Sequence, residues 1–374
     1  MGDWVAGFRG AVISPYEEFR ISEPRGFRDQ TVRQVLRMAG GGERLRVRLS
    51  NRYGRAPLTI GAARVAGRGS GGAIVEGSDL AVRFGGAEQV TVPAGEEVVS
   101  DPVDRAVAAG DDLVLSLYLP DETGPATFQQ FPLETAYVGA GDQVSAPELA
   151  GAEEVGSRFY VTGVDVFTDA RIAVAFGDSW FEGVGSTAGA GRRSVDVLNE
   201  RLDHGWVVNQ GLAGNRLLTD EVGEHGLARF DRDVLAVPGV SHVLIHLGIN
   251  DLLIPGMVGR PPARAEDLAA GYTELARRAR EAGLTVLGAT VGPIGGAIYP
   301  GAVTPEALAE RRRVNEWLRS SDVFDSLFDV ALAVGDPDDP ERIRPEFADP
   351  DGMHLNDAGA RAMAGSVDLS ALKP

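Results

Sequence analysis

The spacing of apolar residues changes once along this chain of 374 residues, near Asp169, and that change limits the fold more than any other feature. Before it, apolar and polar residues alternate in short runs separated by Gly, Pro, Asn and Asp, which is typical of an antiparallel β-sandwich. The clearest runs are 45–50, 79–84, 89–92, 112–119 and 159–167. Residues 31–38 fit either a helix or a strand, and we predict a strand because turn-rich stretches flank them.

After Asp169 the apolar runs become continuous and alternate with segments of helical periodicity. The apolar runs are 171–176, 206–210, 242–247 and 284–290, and the helical patterns lie near 192–203, 224–236, 264–282 and 304–320, with a last helix expected after Asn356. This order predicts a parallel sheet with helices on both faces. The sequence therefore predicts two domains, a β-sandwich at 1–168 and an α/β domain at 169–374.

The composition excludes several classes of partner and site. The net charge of −18 argues against nucleic acid and anionic membrane surfaces, because both require basic patches. The chain has no cysteine, so disulfides, thiol catalysis and thiolate metal sites are excluded. The start M-G-D-W-V-A-G-F-R does not resemble a secretion signal, and no run of about 18 apolar residues occurs. We expect a cytoplasmic protein, although a secreted chain without its signal would look the same.

Ser179 is the first candidate for chemistry. The segment A-V-A-F-G-D-S-W at 173–180 reads as a buried strand that ends at a glycine and then presents this serine. The carboxyl ends of parallel strands are where open α/β sheets bind ligands, so a nucleophile would be well placed there. A serine hydroxyl is a weak nucleophile and needs an adjacent base. The alternative is that Ser179 only caps the helix that follows the strand.

His354 is the candidate base, in the segment D-P-D-G-M-H-L-N-D. Asp351 lies three residues earlier, and residues three apart on a helical turn face the same way. Asp351 would then accept the imidazole Nδ1–H and leave Nε2 directed at Ser179. The alternative is a surface loop that carries an incidental histidine.

Acyl transfer also requires hydrogen-bond donors for the oxyanion that develops on the substrate. Two later strand ends offer them: V-V-N-Q-G ends at Gly211, and L-I-H-L-G-I-N-D contains Asn250. The backbone N–H of Gly211, the side-chain amide of Asn250 and the backbone N–H of Ser179 make three candidate donors. The alternatives are a simple turn at Gly211 and an Asx-type cap at Asn250.

These segments together resemble the four blocks of the SGNH, or GDSL-type, hydrolase family. The matches are G-D-S at 177–179, G-L-A-G-N at 211–215, G-I-N-D at 248–251 and D-G-M-H at 351–354, in the family's order and within 171–366. The resemblance implies a three-layer α/β/α fold of the flavodoxin type. It also implies Ser179 as nucleophile, His354 as base, Asp351 as its orienting acid, and Gly211 and Asn250 as oxyanion donors.

Two departures from the family pattern concern the substrate. Trp180 and Phe181 follow the nucleophile where relatives commonly carry small or polar residues, and Ala213 replaces a frequent serine of the second block. Trp180 and Phe181 either pack beneath the start of the helix or form an apolar wall for the acyl group or the acceptor. Asn215, the last residue of the second block, is the third candidate for the substrate pocket.

The first domain resembles the β-sandwich that precedes the catalytic domain in an actinobacterial branch of the family. The most family-like portion is L-S-N-R-Y-G-R-A-P-L-T-I-G-A at 49–62. Such sandwiches are of the jelly-roll type and are similar to carbohydrate-binding modules. A packing or pocket-forming role is favoured over glycan binding.

Three further patterns are not assigned to the site. The stretch G-V-G-S-T-A at 183–188 fits a dinucleotide-binding pattern but does not directly follow a strand, so we reject it. His242 and His246 lack a cluster of acidic partners and are expected to be core histidines. The arginines at 311–313 are expected on a solvated helix face.

The sequence thus predicts a serine enzyme that forms an acyl-enzyme from an ester or thioester, with an acyl-CoA as one possible donor. The acyl group passes either to water or to a small-molecule hydroxyl, as in the GDSL-type acyltransferases of polyketide tailoring, including those acting on tetracycline-like scaffolds, which the chain resembles. The alternatives are a carbohydrate acetylesterase or lipase-type hydrolase, and a non-catalytic glycan-binding protein. We expect no cofactor, no metal, no nucleic acid and no membrane partner, and the sequence leaves the oligomeric state open.

Overall fold

A computed structural model describes residues 2–19 and 21–373 and divides the chain into two compact units, Met1–Ala170 and Arg171–Pro374. The first unit is built of antiparallel strands in two main sheets, ordered β1-β14-β3-β8 and β12-β11-β2-β9-β5-β6. Its strands are β1 (Asp3–Arg9), β2 (Gln30–Arg37), β3 (Leu45–Ser50), β4 (Leu58–Ile60), β5 (Ala62–Gly67), β6 (Leu80–Ala81), β7 (Val90–Val92), β8 (Glu97–Val99), β9 (Asp112–Leu119), β10 (Phe128–Gln129), β11 (Ala136–Ala140), β12 (Glu153–Val155), β13 (Arg158–Phe159) and β14 (Val161–Thr168). The predicted β-sandwich fold is confirmed.

The alternation of apolar residues located the long strands well and the short ones poorly. The ambiguous segment 31–38 is strand β2, as predicted. The predicted strand at 159–167 is interrupted at Tyr160, which separates β13 from β14. The φ angle of Tyr160 is 62° and lies in the left-handed region, which a strand cannot adopt. Only Leu80–Ala81 of the run 79–84 pairs as a strand.

A buried ionic cluster lies on the sheet of β1, β14 and β3. The side chain of Asp165 is fully buried and accepts from Arg9 at 2.6 Å, from Arg46 at 2.8 Å and from Arg48 at 2.8 Å. Gly163 makes room for this cluster, because a Cβ there would lie 2.0 Å from Arg9 Nη1. Burial alone would raise the pKa of Asp165, but the arginines, Arg9 foremost, hold it below its ordinary value.

The second unit contains a five-stranded parallel sheet, ordered β16-β15-β17-β18-β19. Its strands are β15 (Ile172–Gly177), β16 (Trp206–Gly211), β17 (Val240–His246), β18 (Thr285–Ala289) and β19 (Ser326–Phe328). In sequence order this is 2-1-3-4-5, the flavodoxin-like arrangement, in which ligands bind where the strand order reverses. The reversal occurs at β15, which pairs with β16 on one side and with β17 on the other.

The helices of this unit are α1 (Ser179–Glu182), α2 (Ser194–Asn199), α3 (Gly226–Phe230), α4 (Ile249–Met257), α5 (Ala265–Glu281), α6 (Pro305–Ser320), α7 (Val330–Val334) and α8 (Asp357–Gly365). A π-helical turn, Asp231–Leu235, continues α3, and a 3₁₀ turn, Leu369–Leu372, follows α8. Helix α6 begins where the sequence indicates, because Thr304 caps it and Pro305 occupies its first turn. No helix in the described part of the chain is long and apolar enough to cross a membrane.

Candidate active site

Ser179 lies directly after β15, at the first position of α1. The chain turns sharply here, and a Cβ on Gly177 would lie 2.4 Å from the carbonyl oxygen of His246, so a glycine is required. Asp178 caps the helix by accepting the N–H of Trp180 at 3.1 Å. This strand-to-helix turn presents the Ser179 hydroxyl at the carboxyl edge of the sheet.

His354 and Asp351 meet Ser179 in the order that the sequence predicted. His354 Nε2 lies 2.9 Å from Ser179 Oγ, and His354 Nδ1 lies 2.5 Å from Asp351 Oδ2. The two residues lie on a tight turn and not on a helix: Gly352 has φ of +68°, and Asp351 Oδ1 accepts the N–H groups of Met353 and His354 at 2.9 Å each. The carboxylate therefore fixes both the turn and the imidazole.

The electrostatics of the turn favour an ionised Asp351. Burial raises the pKa of this carboxyl, but hydrogen bonds and charge from His354, together with the N–H of Met353, hold it well below its ordinary value. An ionised Asp351 accepts the Nδ1–H of His354, which leaves Nε2 as the acceptor for the Ser179 hydroxyl.

Asn250 lies in the first turn of α4, just after β17, and so at the edge that carries Ser179. One N–H of its side-chain amide donates to the carbonyl of Asn215 at 3.0 Å, and a second N–H remains on the same nitrogen. The backbone N–H of Ser179 donates to no acceptor within the described residues. Both groups fit the predicted role of oxyanion donors.

The assignment of Gly211 as an oxyanion donor is wrong. Its N–H already donates to Asn209 Oδ1 at 2.8 Å, and a Cβ on Gly211 would lie 2.2 Å from the backbone nitrogen of Glu182. Gly211 is thus needed for the packing of β16 against α1. The available donor is Gly214, which has φ of +78° and whose N–H makes no hydrogen bond to any described residue. The second glycine of G-L-A-G-N was the signal in the sequence.

The three pocket candidates are buried side chains. Trp180, Phe181 and Asn215 are 2%, 2% and 0% exposed. The Trp180 ring stacks on His246 at a centroid distance of 5.0 Å, and its Nε1–H donates to the Met353 carbonyl at 3.1 Å. The Phe181 ring meets His246 edge-on at 6.0 Å. The packing interpretation of Trp180 and Phe181 is therefore correct, and the apolar-wall interpretation is wrong.

Asn215 holds the loop after β16 in place. Its Nδ2 donates to the carbonyls of Val222 and Glu224 at 3.1 and 2.9 Å, and its Oδ1 accepts from Arg229 Nε at 2.9 Å. Since its own carbonyl accepts from Asn250, Asn215 fixes the loop that carries Gly214.

Two supporting residues were missed by the sequence analysis. Arg229, 1% exposed, donates to the carbonyls of Gly177 at 2.7 Å and Gln210 at 3.1 Å, and so joins the ends of β15 and β16. Glu182, also 1% exposed, accepts the N–H of Ala213 at 2.6 Å, next to Gly214. Neither an arginine inside a helical pattern nor a glutamate just after the nucleophile gives a sign of such a role, because the partners are distant backbone groups.

His242 and His246 are both buried, as expected of core histidines. His246 is buried with its Nδ1 3.2 Å from Asp178 Oδ1, and His242 contacts Ser241 Oγ at 2.8 Å. The expected solvated face at 311–313 is wrong for Arg311, which is 4% exposed and donates to the carbonyl of Gly292 at 2.6 Å. Among the described residues, no group of three or more His, Asp or Glu side chains could hold a metal ion.

The model of the GDSL-like lipase/acylhydrolase family matches residues 175–362. Similar solved structures include an aryl esterase of M. smegmatis, with 20% identity over 53% of this chain and 96% of that one, at a TM-score of 0.42. They also include a carbohydrate acetylesterase family member of Sinorhizobium meliloti, with 18% identity over 54% of this chain and 96% of that one, at a TM-score of 0.41. A GDSL-like lipase of Bacteroides thetaiotaomicron matches with 14% identity over 54% of this chain and 88% of that one, at a TM-score of 0.41. No curated protein matches the chain.

Proposed function

Since the chain belongs to the GDSL-like lipase/acylhydrolase family and is an esterase-type hydrolase, we propose that Ser179 cleaves its substrate through a covalent acyl-enzyme. The distance of 2.9 Å between His354 Nε2 and Ser179 Oγ carries this proposal, because a serine hydroxyl becomes an effective nucleophile only beside a base. Asp351, 2.5 Å from Nδ1, supports the assignment of His354 as that base.

In the first step, Ser179 Oγ attacks the carbonyl carbon of an ester or thioester while His354 Nε2 takes the hydroxyl proton. The negative charge moves to the carbonyl oxygen, where the N–H groups of Ser179 and Gly214 and the Asn250 amide donate to it. The intermediate then collapses, the bond to the leaving group breaks, and His354 returns the proton to the leaving oxygen or sulfur.

In the second step, the acceptor attacks the acyl-enzyme. Water releases a carboxylic acid, whereas a small-molecule hydroxyl releases a new ester. In both cases His354 takes the proton of the acceptor and passes it back to Ser179 as the bond to Oγ breaks. The reaction balances with the acyl donor and the acceptor alone, so we propose that no cofactor takes part.

We take water as the primary acceptor and a small-molecule hydroxyl, as in natural-product acylation, as the second candidate. The buried packing of Trp180 and Phe181 removes them as a reason for an organic acceptor. The limited exposure of the triad still supports the second candidate, since Ser179 is 2% and His354 7% exposed, and a covered acyl-enzyme admits water less freely. A carbohydrate acetyl ester is one substrate within the hydrolase alternative.

The two acceptors are separated by incubating the protein with p-nitrophenyl acetate, with and without candidate alcohols. Hydrolysis predicts acetic acid as the product in every mixture. Transfer predicts that added alcohol forms a new acetyl ester at the expense of acetic acid, and no change in products on adding alcohols excludes it. Ser179→Ala is the matched control, and it should release p-nitrophenol no faster than buffer. A wild type that is equally inactive on all donors would favour the non-catalytic glycan-binding alternative.

A further inference from the structure

Tyr299 contacts the carboxylate of the triad from outside the four sequence blocks. It lies in the connection between β18 and α6, and its hydroxyl is 2.9 Å from Asp351 Oδ2. This is the same oxygen that accepts His354 Nδ1. Burial and, to a lesser extent, the hydrogen bond to Asp351 raise the pKa of Tyr299 to about 12. The hydroxyl therefore keeps its proton at neutral pH and donates a hydrogen bond to Asp351.

The base of this connection is held by α6. The N–H of Val291 donates to Asn315 Oδ1 at 2.7 Å, and Asn315 Nδ2 returns a bond to the Val291 carbonyl at 2.8 Å. The buried Arg311 donates to the carbonyl of Gly292 at 2.6 Å. The ring of Trp180 packs on Gly292, where a Cβ would lie 2.2 Å from it. The segment therefore leaves the sheet in a fixed direction.

The far part of the connection is joined to the catalytic turn by its backbone. The N–H of Ile298 donates to the Asp351 carbonyl at 3.1 Å. Gly296 and Gly352 lie so close that a Cβ on Gly352 would be 2.1 Å from the Gly296 carbonyl oxygen. Tyr299 thus reaches Asp351 from a segment that is anchored at both ends.

The hydrogen bonds of Asp351 show what Tyr299 adds. Oδ1 accepts two backbone N–H groups of the turn, from Met353 and His354. Oδ2 accepts His354 Nδ1 and the Tyr299 hydroxyl. Each carboxylate oxygen therefore has two donors, and without Tyr299 the oxygen that faces the imidazole would have one.

We propose that Tyr299 is a positioning residue of this site, whose hydroxyl holds Asp351 Oδ2 toward His354 Nδ1. The inference rests on the proposed function of the triad. Removing the hydroxyl should leave Asp351 Oδ2 with a single donor and His354 less well oriented toward Ser179.

Other titratable side chains on the segments around the turn are Asp349, Asp178, Glu182, His246 and Asp357. A Tyr299→Phe substitution changes none of them and keeps the aromatic ring. A change in kcat and in the NMR signal of the His354 Nδ1 proton in this variant therefore reports the hydroxyl itself. Tyr118→Phe is the matched control, because the Tyr118 hydroxyl donates to Asp29 Oδ1 at 2.8 Å in the first unit.

The experiment measures p-nitrophenyl acetate hydrolysis and the rate of fluorophosphonate labelling from pH 5 to 9 in the wild type and both variants. We expect Tyr299→Phe to lower kcat by about tenfold, the effect of losing one hydrogen bond to a charged group, with KM within about twofold. The low-field ¹H NMR signal of the His354 Nδ1 proton should move or broaden in this variant. Tyr118→Phe should match the wild type, and melting temperatures check that each variant is folded.

The outcomes separate the inference from the proposed function. If the wild type is labelled and Tyr299→Phe keeps the wild-type kcat, the inference is wrong and the triad stands. The same holds if kcat falls while the Nδ1 proton signal is identical to that of the wild type, since the loss is then a packing effect only. If Ser179 of the wild type is not labelled at all, the proposed function fails, and the inference fails with it.

Discussion

We propose two roles for the side-chain amide of Asn250. One N–H holds the carbonyl of Asn215 and so fixes the loop of Gly214, and the other N–H would donate to the substrate oxyanion. A residue with both roles affects the transition state more than the bound substrate, because the oxyanion exists only as the carbonyl is attacked.

We predict that Asn250→Ala lowers kcat by about 10²–10³-fold and leaves KM nearly unchanged, as loss of one oxyanion donor does. Steady-state kinetics with p-nitrophenyl acetate measure this effect. Asn199→Ala is the control, because the Asn199 side chain bonds only the backbone of Val207 among the described residues. A loss of kcat as large in Asn199→Ala would mean that Asn250 acts through stability.

Asp351 affects both catalysis and stability. We predict that Asp351→Asn lowers kcat by roughly 10³–10⁴-fold at neutral pH, because the imidazole loses the partner that fixes its tautomer. The folded-state pKa of Asp351 is lowered, so its ionised form stabilises the fold above its ordinary value near 4. That contribution is lost as the pH falls below about 4.

Denaturation at pH 7 and at pH 3 tests the second effect. The difference in unfolding free energy between wild type and Asp351→Asn should be smaller at pH 3. A difference that is equal at both pH values would contradict the lowered pKa.

The sequence was sufficient to identify the residues of the triad but not to identify all of the oxyanion donors around it. Ser179, Asp351 and His354 could be found because the chemistry requires those residue types. Gly211 was assigned instead of Gly214, because the sequence does not show that the Asn209 side chain bonds the N–H of Gly211. That contact is decided by the folded loop and has no pattern in the sequence.

At the scale of elements, strands and helices with a strong pattern were predicted close to their bounds. Helix α5 was expected near 264–282 and occupies Ala265–Glu281. Helix α4 was missed because all of Ile249–Pro255 is buried, including the polar Asn250 and Asp251, so the segment has no polar face to reveal a helical period, and Pro255 lies inside it. Strand β19 has three residues, too few for any periodicity.

Arg229 joins three elements that meet beneath the site. Its guanidinium bonds the ends of β15 and β16 and the side chain of Asn215 at once, and it pairs with Asp233 at 3.1 Å. The single ammonium group of a lysine cannot reach all of these partners at once, because they are spaced for the planar set of donors of a guanidinium.

We therefore predict that Arg229→Lys destabilises the protein by about 2–3 kcal/mol, from lost hydrogen bonds to a charged group, and lowers kcat through the loop of Gly214. Thermal unfolding and steady-state kinetics measure the two effects. Arg278→Lys is the control on neighbouring α5, where the side chain bonds the Leu227 carbonyl and Asp231. Equal losses in both variants would contradict a special role of Arg229.

Asp165 plays the corresponding part in the first unit, where it bonds three arginines. We predict that Asp165→Asn destabilises the protein by roughly 3–5 kcal/mol, because it leaves buried guanidinium charge without its partner. Since the pKa of Asp165 is lowered, its stabilising effect is present above pH 4 and is lost on acidification. Chemical denaturation at pH 7 and pH 3 tests this, and an unchanged midpoint at pH 7 would contradict it.

At the scale of the molecule, the order of the strands explains why distant residues meet. Ser179 follows β15 and Asn250 follows β17, and these neighbouring parallel strands place both residues at one edge. His354 is contributed by the turn before α8, 175 residues after the serine. The fold class and these positions could be predicted from sequence, whereas the supports by Arg229, Glu182 and Tyr299 could not, because they depend on contacts with residues that are distant in the chain.

The central claim is that Ser179 is a nucleophile activated by His354. Intact-protein mass spectrometry after treatment with a fluorophosphonate, followed by peptide mapping, tests it most directly. In the wild type we predict one adduct per chain, located on Ser179. We predict no adduct in Ser179→Ala. As a control, a variant of a nearby serine, Ser186→Ala, should be labelled fully. His354→Ala should be labelled far more slowly. An unlabelled wild type, or an adduct on another residue, would contradict the account.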